Sequence, residues 1–104
     1  MVKSNLQKKK RIEAIKQTLM SLNDFRPGTL SKQYIERNQK RYAYYQLSYT
    51  HKMKSRTRYI PPQSVKIIQK EIRNYKLFKK LIQQWIDLSI QASDDRMKTT
   101  KIVK

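Results

Sequence analysis

The stretch that most limits what this chain can fold into is Tyr42–Pro62, YAYYQLSYTHKMKSRTRYIPP. Runs rich in Tyr, Thr and Ile, alternating with period two around a polar break, read as a β-hairpin. Two strands are expected, Ala43–Thr50 and Ser55–Ile60, joined by a basic turn over His51–Lys54. Pro61 and Pro62 end the second strand, because neither can donate to a sheet ladder.

Side chains alternate faces along a strand, so register decides function. Tyr45, Leu47 and Tyr49 share one face of the first strand; Tyr44, Gln46 and Ser48 share the other. An even-length loop pairs Leu47 with Arg58 and puts an arginine among apolar residues. A three-residue connection pairs Leu47 with Thr57 or Tyr59 and sets Arg56 and Arg58 beside Gln46 and Ser48. On apolar-in grounds the odd loop is expected. Tyr45, Leu47, Tyr49 and Tyr59 then hold the ribbon against a helix. The outer face presents Tyr44, Gln46, Arg56 and Arg58, with Lys52 and Lys54 at the tip.

The rest of the chain supplies helices. Leu6, Ile12, Ile15, Leu19 and Leu22 place an amphipathic helix over 4–22, with Ser4 as its cap. Asn23–Gly28 breaks it. Gly28–Tyr34 is ambiguous: it alternates weakly at Leu30 and is expected as a short third strand, with a helical turn from Ser31 through Tyr34 and Ile35 as the alternative. Glu36–Arg41 reads as a polar, basic loop. From Gln63 to about Ala92 runs the longest element. Val65, Ile68, Ile72, Tyr75, Ile82 and Ile86 form one apolar stripe; Phe78, Leu81, Trp85, Leu88 and Ala92 form a second. That breadth calls for a second partner, and Phe78, Leu81, Trp85 and Leu88 are the candidate interface of a homodimer. Residues 93–104 read as a flexible polar tail. The expected fold class is therefore α+β: an N-terminal helix, a two- to three-stranded antiparallel ribbon over 28–60 and a long C-terminal helix, in one domain spanning 1–92.

Charge bears on partners. The chain has 25 Lys and Arg against 7 Asp and Glu in 104 residues, a net +18. Nets of +5, +7 and +6 fall on residues 1–23, 24–62 and 63–104, so the charge is no mere tail. Such an excess favours nucleic acid, an anionic surface or an acidic protein as partner. There is no cysteine, hence no disulfide framework or thiolate metal site, which fits a reducing cytoplasm. No apolar run long enough to span a membrane occurs. The lone histidine, His51, stands among lysines, and the carboxylates are too scattered for a two-metal site. No catalysis, metal or cofactor is expected.

The candidate nucleic-acid-binding set is Lys40, Arg41, Tyr44, Gln46, Lys52, Lys54, Arg56 and Arg58 on the ribbon, with Lys66, Lys70 and Arg73 on the long helix. Guanidinium forks suit phosphates and guanine edges, tyrosines can stack on bases, and a two-stranded ribbon can enter the major groove of DNA. The competing reading of the same residues is a sheet core with a solvated charged face.

Pro27-Gly28-Thr29-Leu30 with Tyr34, Tyr44-Tyr45-Gln46-Leu47-Ser48-Tyr49-Thr50, Thr57-Arg58-Tyr59-Ile60-Pro61 and Asn74–Lys79 together resemble a bacterial family of small proteins associated with transposases and other mobile elements. The resemblance spans about residues 26–90, and its most specific part is the tyrosine-rich hairpin. It implies a hairpin-plus-helix outline and a mobile-element setting, and no catalytic residues. Many members look as if they carry a Cys-rich segment where this chain has Glu36–Arg41, so no metal role carries over.

The expected function is non-catalytic nucleic-acid binding, to DNA rather than RNA, in the cytoplasm and at the nucleoid. Two other classes stay open: a structural or oligomerising adaptor for an acidic protein, and an RNA-binding, ribosome-associated protein. Self-repulsion at +18 predicts that the melting temperature of the free protein rises with added salt or a bound polyanion; a melting temperature indifferent to both contradicts this.

Overall fold

A computed structural model describes residues 2–102, with side chains from Leu6 to Lys98. The order is helix α1 (Val2–Ser21), strands β1 (Thr29–Arg37), β2 (Lys40–His51) and β3 (Lys54–Ile60), a 3-10 turn at Pro62–Ser64, and helix α2 (Val65–Ile102). The class is α+β, with the three strands antiparallel in the order β1-β2-β3. Two compact units divide the chain: Met1–Leu22 with Leu77–Lys104, and Asn23–Lys76. α2 contributes to both.

In the first unit, α1 and α2 run antiparallel. Lys8 Nζ bonds the Asp95 carboxylate at 2.5 Å, while Lys16 Nζ lies 5.4 Å from the centre of the Trp85 ring. Ile15 and Leu88 are the buried residues of this unit among those described. The hydrogen bond from Lys8 holds the Asp95 carboxyl below the ordinary aspartate range.

Both helices run longer than their apolar spacing predicts. α1 begins at Val2, so Ser4, the expected cap position, falls within the helix. α2 continues ten residues past the expected end at Ala92, so 93–102 is helix rather than tail. Residues 93–102 contain no Gly or Pro to stop it, and the Asp95 carboxylate is engaged by α1. The last two positions of the expected tail, Val103 and Lys104, lie outside the described residues.

In the second unit the core forms around Leu47, the only fully buried large side chain among the described residues. Leu47, Ile60 and Ile72 make the buried cluster, with Leu30, Tyr45, Tyr49, Val65 and Ile68 packed against it. The first turns of α2 thus cover one face of the sheet, and each buried aliphatic side chain is worth roughly 1.5–3 kcal/mol. The Arg26 backbone N–H donates to the Glu71 carbonyl (3.3 Å) and Asn74 Nδ2 to the Asp24 carbonyl (3.1 Å), tying the segment before β1 to α2.

The sheet departs from expectation at both turns. Glu36–Arg41 is not a loop: β1 extends to Arg37, β2 starts at Lys40, and Asn38-Gln39 is a two-residue turn. The β2–β3 connection is also two residues, Lys52-Met53, so Leu47 pairs with Arg58, not with Thr57 or Tyr59. Arg56 and Arg58 therefore lie on the Leu47 side of the sheet, and Tyr59 lies on the other. The physical reason is that β3 is an edge strand: an arginine there can run its apolar stem past the core and keep its head in water. The even loop also buries Ile60 opposite Tyr45, which the odd loop does not.

Both turns have positive φ at both central residues: Asn38 (51°), Gln39 (66°), Lys52 (51°) and Met53 (65°). This is the twist that two-residue hairpins favour, but Gln, Lys and Met adopt it at a cost of about 1 kcal/mol or more each. Gly28 (φ 142°) is the opposite case. A Cβ there would come within 2.6 Å of Leu47 Cδ1 and 3.1 Å of the Ser48 carbonyl oxygen. Substitutions at the two sites should therefore have opposite signs. Met53→Gly should raise stability by about 1 kcal/mol, and Gly28→Ala should lower it by about 1–3 kcal/mol, both measured by thermal unfolding.

Candidate nucleic-acid interface

Register sorts the sheet's side chains into two faces. The face under α2 carries Leu30, Tyr45, Leu47, Tyr49 and Ile60, continued outward by Arg56 and Arg58 on β3 and by Tyr34 and Arg41 on β1 and β2. The opposite face carries Ile35, Tyr42, Tyr44 and Tyr59, with Gln33, Gln46 and Thr57 between or beside them. Arg37 and Lys40 stand opposite each other at the end of that face.

This second face is open. Tyr42 is 49% exposed and Tyr59 54%. Tyr44 and Tyr59 have nearly parallel rings, 5° between planes, with centres 6.3 Å apart. Ile35, Arg37, Asn38, Tyr42, Tyr44 and Tyr59 line a shallow hollow of about 570 Å³. Beside it runs a polar row: Gln33 Nε2 donates to Ser31 Oγ (3.2 Å), and Ser31 Oγ to the Gln46 carbonyl (3.4 Å).

The expected site residues are thus divided. Lys40, Tyr44 and Gln46 share the open face. Arg41 is on the other side, its guanidinium 4.0 Å from the centre of the Tyr34 ring, with Lys32 Nζ 5.8 Å from the same ring. Lys52 is in the β2–β3 turn and Lys54 pairs with His51 at its base. Arg56 and Arg58 are exposed on β3, away from Tyr44 and Gln46. Lys66, Lys70 and Arg73 are exposed on α2. Arg73 borders a hollow with Gly28, Thr29, Leu30 and Tyr45, toward the β1 edge and so the edge opposite Arg56 and Arg58.

Sequence reasoning missed Tyr42, Tyr59, Ile35 and Arg37 as members of the open face. Loop parity is the signal that finds them: a two-residue turn points Tyr59 outward and Ile60 inward. It also missed Arg26, whose guanidinium lies 4.8 Å from the centre of the Tyr49 ring.

In the helical unit, Leu88 is buried, and Phe78, Leu81 and Trp85 are half-buried. Leu88 is thereby removed from the expected dimer interface. The exposed apolar row is instead Ile86 and Ile90, with Ile82 and Trp85 lining the hollow beside them.

Among the described residues, no group of three His, Cys, Asp or Glu side chains is placed to hold a metal ion, and no helix is long and apolar enough to cross a membrane. Compared with family models, curated proteins and solved structures, the chain matches none.

Proposed function

We propose that this chain is a non-catalytic nucleic-acid-binding protein, acting on DNA, that uses the sheet unit as its contact surface. The observation that carries the reading is the charge of that unit together with its open face. Asn23–Lys76 holds thirteen Lys and Arg against three Asp and Glu, a net of +10. None of the three acidic residues lies on the open face: Asp24 precedes β1, Glu36 pairs with Arg41 on the other side, and Glu71 is on α2. Aromatic side chains and cations without carboxylates suit a polyanion that also offers flat bases.

Binding would be driven by counterion release from phosphates, with Arg37, Lys40, Arg56, Arg58 and the turn residue Lys52 as contributors. A second reading rests on a different observation, the exposed Ile86 and Ile90 of α2: self-association, or the holding of a protein partner, through the helical unit. A monomeric mass by light scattering at micromolar concentration would remove the self-association form of it.

The test of the main reading is the affinity for DNA measured across salt. The logarithm of the association constant should fall linearly with the logarithm of salt concentration. Arg56→Ala with Arg58→Ala should reduce that slope by about two; the Arg58 stem beside Leu47 is lost as well, so the melting temperature should fall modestly, with circular dichroism checking that the variant is folded. An unchanged slope in the double variant would remove these arginines from the site, and no DNA binding at moderate salt would remove the reading.

A further inference from the structure

We propose that the open face of the sheet is a stacking platform for unpaired bases, so that the nucleic acid preferred by this chain is single-stranded. The inference rests on the nucleic-acid reading and adds the class of ligand.

What the face exposes points to this ligand. Tyr42 and Tyr59 each leave about half of their surface in water, and Ile35 stands beside Tyr42 across the β1–β2 ladder. Exposed aromatic surface gathered on one face is unusual unless something covers it. The hollow that these residues line, about 570 Å³, lies within the roughly 300–1,000 Å³ range of sites that hold small ligands.

The occupant follows from the chemistry around the rings. A duplex presents base edges and phosphates but hides the base faces, so it would leave the tyrosine rings hydrated. An unpaired base offers a flat face to each ring, and every base has one, so stacking is tolerant of sequence. Gln33, Gln46 and Thr57 supply donors and acceptors beside the rings for base edges. Arg37 and Lys40, opposite each other at the end of the face, supply charge for the backbone. A second copy of the chain is a poorer cover, since each sheet unit carries a net +10 and both copies would bring Arg37 and Lys40 to the contact.

The experiment compares short oligo(dT), oligo(U) and duplex DNA of the same length at fixed salt, by fluorescence anisotropy. Either single strand should bind more tightly than the duplex, and the ratio between the two identifies the source of the unpaired bases. Tyr42→Ser with Tyr59→Ser should weaken single-strand binding about tenfold or more while leaving duplex binding within about twofold; Tyr42→Phe with Tyr59→Phe, which keeps the rings, should retain it. A fold check by circular dichroism accompanies each variant. In a Trp85→Phe background, a Tyr59→Trp reporter should be quenched by oligo(dT). Duplex bound as tightly as single strands, with no effect of the tyrosine changes and no quenching, overturns the stacking proposal and leaves the nucleic-acid reading standing. Absence of binding to all three overturns both.

Discussion

The structure of the sheet unit depends on the burial of Leu47. This side chain sits on the central strand, paired to Leu30 on one side and Arg58 on the other, and is completely enclosed. Gly28 passes so close that a methyl group would collide with it. Ile60 and Ile72 complete the enclosure from β3 and α2. Because β-strand side chains alternate, fixing Leu47 inward assigns every other side chain of β2 to a face, and the two short turns carry that assignment to β1 and β3. The open tyrosine face is thus a consequence of the core on the opposite side.

The two turns show how local cost and global register are balanced. Asn38-Gln39 and Lys52-Met53 adopt a conformation that glycine would adopt more readily. Burial of Ile60 and the pairing along both ladders outweigh that cost. Met53 is 98% exposed at its tip, so it gains nothing from packing there.

Much of the outline is legible from residue patterns. Period-two alternation locates the tyrosine hairpin, the paired prolines end β3, and apolar spacing locates both helices. The candidate site is legible only in part. Alternation along β2 groups Tyr44 and Gln46 correctly, whereas Lys40, expected in a loop, joins their face only because β2 begins there; the apolar-in rule sends Arg56 and Arg58 to that face and Tyr59 to the core. That rule keeps an arginine away from Leu47 on a central strand and fails at an edge, where the charged head can reach water. Polar composition likewise suggests fraying after Ala92, whereas Lys8 of α1 holds Asp95, a contact between residues far apart in the chain.

By itself, the sequence determined the class of structure and the sign of the net charge. Alternation and helical spacing are local properties, and charge is a sum, so both can be read along a chain. Only the tertiary structure decided which tyrosines face solvent and which apolar positions of α2 remain uncovered. Those depend on turn parity and on the packing of elements distant in the chain. The hairpin between Tyr42 and Pro62 therefore presents stacked tyrosine rings on its open face, with Arg56 and Arg58 on the other side along the β3 edge.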